Sequence, residues 1–129
     1  MKHRKYAWLV FRALYELIRF DMITALRGSV TIHRWLNRQP ITPKPTSHEL
    51  VRTTCDAVLL ATCLYWKPVL CLQRSVCTVR LLRKHGVVAH LVIGCRLVPF
   101  FSHAWVEVDG RIVNDSPTYQ ERLQVLYTA

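Results

Sequence analysis

The sequence predicts an α+β fold with helices first and the sheet last. Three observations carry this reading. Helical periodicity runs through residues 5–27 and 70–85. The apolar run VVAHLVIGC (87–95) is rich in β-branched residues, and 102–115 alternates as a hairpin does. Helices followed by strands, instead of a repeating alternation of the two, is the α+β pattern.

In 5–27, Trp8, Phe11, Leu14 (with Tyr15), Ile18 and Met22 recur at three- and four-residue steps, the stripe of an amphipathic helix that Gly28 ends. A second short helix is expected over Ile32–Leu36. The segment QPITPKPTS (39–47), with prolines at 40, 43 and 45, reads as a connection. Residues 1–45 are therefore expected to form a helical N-terminal region packing on or beside a core of residues 46–129, neither part being complete alone. Thr46-Ser47-His48-Glu49 has the spacing of a capping box. The helix it opens should run to about Tyr65, because Pro68 biases Lys67 out of the helical region.

Residues 70–85 form the best-defined helix, with Leu72, Val76, Val79 and Leu82 on its apolar face. Arg83, Lys84 and His85 suit its last turn, and Gly86 suits the left-handed position that follows. The 87–95 run is apolar on both faces, as a buried central strand is. The hairpin 102–115 comes next, and a polar segment containing YQERLQVLY closes the chain.

A chain of 129 residues, 51% hydrophobic and 20% charged, is long enough for one real core and too apolar for disorder. Its net charge is +10, and residues 1–52 hold ten basic and three acidic side chains. Such an excess either recruits an acidic partner (nucleic acid, phospholipid, or an acidic peptide or protein) or simply keeps the surface solvated. The start MKHRKYAWLVFRALYELIRF imitates a signal peptide, but Arg12, Glu16 and Arg19 interrupt its apolar run and no cleavage site follows. No window has the length of uncharged apolar sequence that a transmembrane span needs. The five cysteines, at 55, 63, 71, 77 and 95, contain no C-x-x-C pair. The expectation is a cytoplasmic protein with reduced thiols, no metal and no cofactor.

A thiol becomes a nucleophile as thiolate, and a helix N-terminus favours that form. Cys71 stands at the predicted start of a helix. Cys55 and Cys63 fall inside the preceding helix, Cys77 inside the following one and Cys95 at a strand end, where small core residues belong. Among six histidines, His3, His33, His48 and His85 read as surface and His90 as a core histidine. His103 is the candidate base. It alternates with Trp105, Glu107 and Asp109 on one face, while Ala104, Val106 and Val108 take the other. Trp66 and Trp105 either wall the site or belong to the core.

The residue that orients the imidazole is to be found among Glu107, Asp109, Asn114 and Asp115, and hairpin parity discriminates between them. A two-residue Asp109-Gly110 loop sets Val108 opposite Arg111 and turns Asp115 away from His103. A three-residue loop, Val108-Asp109-Gly110, sets Glu107 opposite Arg111, Trp105 opposite Val113 and His103 opposite Asp115. The Glu107–Arg111 charge pair favours the second register, so Asp115 is the expected third member and Asn114 the runner-up.

The motifs C71-L-Q-R-S75, L-L-R-K-H-G86-V, H103-A-W-V-E107 and D109-G-R-I-V-N-D115 occur in an order and spacing that resemble a known family. The chain looks like the stand-alone B2 leader peptidases of lasso-peptide biosynthesis, over about residues 48–117. The resemblance implies a papain/transglutaminase-like cysteine-hydrolase core with Cys71, His103 and Asp115 as the catalytic triad. It implies a cysteine endopeptidase that cuts the leader from a ribosomally made precursor peptide. The implied partners are that precursor, a small B1-type leader-recognition protein and the ATP-dependent lasso cyclase. Cys71 follows Lys-Pro-Val-Leu, where true transglutaminases have Gly-x-Cys-Trp, which argues against acyl transfer to an amine. The rival readings are another thiol hydrolase or acyltransferase on the same fold, and a non-catalytic peptide- or nucleic-acid-binding module resting on the +10 charge. No nucleic-acid motif supports the last of these.

Overall fold

The computed structural model describes residues 2–28, 30–45 and 47–129, with side chains from residue 4 onward. Four helices come first: α1 (Lys2–Arg27), α2 (Val30–Asn37), α3 (His48–Leu64) and α4 (Cys71–Lys84). Strands β1 (Ala89–Leu97), β2 (Phe100–Val108) and β3 (Arg111–Ile112) follow, then a one-turn helix α5 (Tyr119–Arg122) and β4 (Gln124–Thr128). The sheet is antiparallel in the order β3-β2-β1-β4, which makes β1 central. The α+β expectation therefore holds. The polar segment after the hairpin, read without an element of its own, supplies α5 and the edge strand β4. Among the described residues no helix is long and apolar enough to cross a membrane.

The helix ends follow local chemistry. Gly28 and Gly86 terminate α1 and α4 at positive φ, 83° and 82°. Ser47 caps α3 by accepting a hydrogen bond from Leu50 N–H at 3.2 Å. The expected capping box began at Thr46, which lies outside the described residues. With Ser47 as the cap, position N3 is Leu50, so Glu49 does not complete the box.

Helix α4 is the axis of the molecule. It packs against α1 and α3 on one side and against β1 and β2 on the other, so residues 75–83 are buried all round. One hydrophobic cluster runs from Leu9, Ala13 and Leu17 of α1 through Val76, Val79 and Leu82 to Ala104 and Val106 of β2. The N-terminal helices and the sheet thus share a core.

In α1 the stripe read from the sequence is not the buried face. Trp8, Phe11, Tyr15, Ile18 and Met22 are exposed, whereas Leu9, Val10, Ala13, Leu17 and Phe20 are buried. The buried face also carries Glu16, at 0% exposure, whose Oε2 accepts from Arg80 Nε at 2.8 Å. A charge on the core side made the true face look polar. His90, read as a core histidine, is exposed on β1, and Cys63 is exposed on α3.

The far face of the sheet holds a smaller cluster of Val92, Trp105 and Leu123, with Ile112 and Tyr119 against it. Gly94 makes this possible: a Cβ there would lie 2.5 Å from Trp105 Cη2. Trp105 is fully buried and cannot yield. Gly94→Ala is therefore expected to cost about 1–3 kcal/mol in denaturant unfolding, as overpacking does. A change within 0.5 kcal/mol would contradict this close approach.

Candidate active site

Cys71 is the first residue of α4, and its neighbour Leu70 is the N-cap. An apolar cap offers no side-chain acceptor, and none is present. The first intrahelical bond here runs from Arg74 N–H to Leu70 O at 3.1 Å. The N–H groups of residues 71–73 consequently have no carbonyl one turn back and remain available to negative charge. Cys71 is a free, half-buried thiol.

The other thiols are in different surroundings. Burial, with Asp56 nearby, pushes Cys55 up to about 12. Burial, and next Glu16, pushes Cys77 well above the ordinary thiol value. Both remain protonated at neutral pH.

His103 donates or accepts through Nε2 at 2.7 Å from Asp115 Oδ2. Since an ionised carboxylate only accepts, Nε2 is the donor in this bond, and in the neutral ring the lone pair is then on Nδ1. Burial opposes ionisation of Asp115. The hydrogen bonds from His103 and Ser116 N–H, and the charges of His103 and Arg74, outweigh it and hold the carboxyl below its ordinary value.

The route by which Asp115 reaches His103 differs from the expected one. The hairpin loop has two residues, not three: Val108 opposes Arg111 and Glu107 opposes Ile112. Asp109 and Gly110 both have positive φ, 54° and 76°, the requirement of a type I′ turn. The expected Glu107–Arg111 pairing is accordingly absent, and Glu107 accepts from Trp105 Nε1 at 2.8 Å instead.

Regular pairing would then turn Asp115 away, but the ladder stops at Ile112. Val113 N–H still bonds Val106 O at 3.0 Å, while Val106 N–H goes to the side chain of Asn114 at 2.8 Å. Asn114 stands where a backbone carbonyl would be, and the chain is released in time to bring Asp115 under the imidazole. Asn114, the runner-up for orienting the histidine, is thus occupied with the backbone of β2 and with Ser75 Oγ, 3.2 Å away.

Helix α4 is tied to this pair. Arg74 Nη2 lies 2.9 Å from the same Asp115 Oδ2, and Ser75 Oγ donates to Ala104 O at 3.1 Å. Residues 71, 74 and 75 share one helix face, so Cys71 lies on the face from which Arg74 reaches Asp115. No hydrogen bond joins Cys71 to His103 among the described residues.

Arg74 and Ser75 were missed in the sequence. The available signal was their i+3 and i+4 spacing from Cys71. Tyr119 was also missed: its ring lies 4.3 Å from the imidazole, between centroids, on the side of Phe101 and Trp105. Trp105 is core beneath His103, and Trp66 is exposed.

A cysteine opening a helix, with a histidine on a strand and its aspartate just past the following strand, is the order of parts expected of a transglutaminase-like fold. A sequence model described as the transglutaminase-like superfamily matches residues 14–128. The chain belongs to the transglutaminase-like superfamily. The match begins within α1 and takes in every element after it, so it includes the second half of the N-terminal helix as well as α4 and the sheet. The chain is also 46% identical, over 56 residues, to the microcin J25-processing protein McjB of Escherichia coli. That alignment covers 43% of this chain and 27% of McjB, so the chain matches about a quarter of the curated relative. No solved structure matches this transglutaminase-like chain significantly.

Proposed function

We propose that this protein is a cysteine endopeptidase that removes the leader from a ribosomally synthesised lasso-peptide precursor, with Cys71 as nucleophile, His103 as base and Asp115 as its orienting carboxylate. The observation that carries the proposal is the 2.7 Å bond from His103 Nε2 to Asp115, which leaves Nδ1 free to take a proton, and the thiol at the uncapped start of α4 supports it. Membership of the transglutaminase-like superfamily and similarity to a microcin-processing protein support the same reading.

In this mechanism Nδ1 takes the thiol proton, and the Cys71 thiolate attacks the scissile carbonyl carbon. The free N–H groups at the start of α4 face the oxyanion. Nδ1–H then protonates the departing amine, the C–N bond breaks, and the leader is held as a thioester on Cys71. Water, deprotonated by Nδ1, attacks that thioester, releasing the leader as its acid and restoring the thiol. Closure of Cys71 and His103 to hydrogen-bond distance belongs to the peptide-bound state. The precursor, a B1-type recognition protein and the lasso cyclase are the proposed partners, in the cytoplasm.

The test is leader release from precursor peptide, with the recognition protein present, followed by mass. Wild type is expected to release leader and Cys71→Ala to release none. Cleavage by Cys71→Ala at the wild-type rate would reject the proposal. Salt-sensitive DNA binding without proteolysis would favour the binding-module alternative.

A further inference from the structure

The stripe that the sequence marks out for the core is the outward face of α1. Trp8, Phe11, Tyr15, Ile18, Met22 and Leu26 are all exposed, Phe11 at 70% and Leu26 at 79%. At 1.5 Å per residue the stripe is about 27 Å long. Single exposed apolar residues are ordinary on any protein, whereas six in one row form a patch that calls for a covering surface.

The charges beside it have one sign. Arg12 and Arg19, seven residues apart, lie along one edge of the stripe. The Arg12 guanidinium stands over Tyr15, 5.4 Å from the ring centroid, and that of Arg19 over the same ring at 5.6 Å. Neither is ion-paired among the described residues, and nor is Arg27. Both carboxylates of α1 are already engaged, Glu16 by Arg80 and Lys84 and Asp21 by Lys67. Glu49 of α3 shares a cavity with Lys5 and Trp8, so the unopposed charge is that of the three arginines.

The stripe ends in a cavity of about 340 Å³ lined by Arg19, Met22, Ile23, Leu26, Arg27 and Trp35. Apolar walls between two guanidinium groups suit a phosphate joined to a hydrocarbon chain. A bare anion would use the arginines alone, and an uncharged apolar ligand the walls alone.

A second copy of the chain would bring the same arginines and another net charge of +10, which repel. A bilayer with anionic headgroups needs no matching groove. Its acyl chains take the apolar row and its phosphates take the arginines, with Trp8 and Tyr15 at the boundary. We propose that α1 lies along the surface of an anionic phospholipid bilayer on its Trp8–Leu26 face, with lipid phosphate at Arg12, Arg19 and Arg27. The helix rests on the membrane without crossing it, since no helix among the described residues is long and apolar enough to span one. Binding here needs no catalysis, so its test stands or falls independently of the peptidase reading.

The experiment floats the protein with vesicles of phosphatidylglycerol and phosphatidylcholine in equal parts, and with vesicles of phosphatidylcholine alone. Binding to the mixed vesicles is expected, weakened about tenfold or more by Arg12→Gln/Arg19→Gln and by Phe11→Ser/Leu26→Ser. Circular dichroism verifies that both variants fold. Bromine-labelled acyl chains are expected to quench tryptophan emission equally in wild type and Trp66→Phe, and less in Trp8→Phe. No binding to the mixed vesicles, equal binding to phosphatidylcholine alone, full binding by either double variant, or quenching lost in Trp66→Phe instead would each overturn the proposal. A wild-type dimer that Phe11→Ser/Leu26→Ser dissociates, with no vesicle binding, would assign the face to a second copy. Binding of a short DNA duplex that only the arginine variant loses, again with no vesicle binding, would assign it to nucleic acid.

Discussion

Asp115→Asn is expected to lower leader cleavage by about 10³–10⁴-fold while the chain stays folded. The carboxylate can only accept, so it fixes the His103 proton on Nε2 and the lone pair on Nδ1. An amide can instead donate to Nε2, which puts the proton on Nδ1, where the base is needed. The substitution also removes the ionic partner of Arg74, whose Nε is already buried without a hydrogen bond. Steady-state cleavage and circular dichroism together check this. A folded variant with more than a tenth of wild-type activity would remove Asp115 from the mechanism.

The pH dependence has a definite sign. Asp115 has a folded pKa below its ordinary value, so its stabilisation is complete above about pH 4 and is lost as pH falls through the folded value. Asp21 behaves in the same way, its burial being outweighed by hydrogen bonds from Lys67, Tyr65 and Gln73. The stability difference between wild type and Asp115→Asn should accordingly narrow in strong acid, as wild-type Asp115 becomes protonated.

Glu16→Ala is expected to destabilise the fold by about 3–5 kcal/mol, lowering Tm by roughly 10–20 °C. Glu16 is fully buried between α1 and α4, with Arg80 Nε at 2.8 Å and Lys84 Nζ at 3.5 Å. Removing the carboxylate strands the Arg80 guanidinium in the core, where it is 6% exposed. Arg80→Ala should be costly for the converse reason, and the double variant should cost less than the two single changes summed. Strict additivity in that cycle would show that the two side chains do not act as a pair.

These residues also mark where reading the sequence stops. Helix order, the glycine ends of α1 and α4 and the central place of β1 follow from local pattern, because each depends on neighbours in sequence. The orientation of α1 does not. Glu16 sits on the core face only because Arg80, 64 positions away, is there to meet it, and hydropathy alone turns the helix over. The hairpin shows a second limit. Asp109-Gly110 is the residue pair that a two-residue type I′ turn requires, and that local signal outweighs the charge pairing that suggested a longer loop. What brings Asp115 to His103 is one side-chain amide, Asn114, replacing a backbone acceptor beyond the last ladder pair. Strand parity describes regular pairing and has no term for such a substitution. The position of Cys71 at a helix start was legible and the spacing of Arg74 from it was a usable signal, whereas Tyr119 becomes visible only when β2 and α5 are brought together.

In the proposed mechanism Cys71 carries the leader as a thioester, and mass spectrometry of the protein quenched during turnover detects that species. The expected result is an adduct with the mass of the acylated leader, mapped to the peptide containing Cys71 and absent from Cys71→Ala. Undiminished leader release by Cys71→Ala, with no adduct on the wild-type protein, would contradict it.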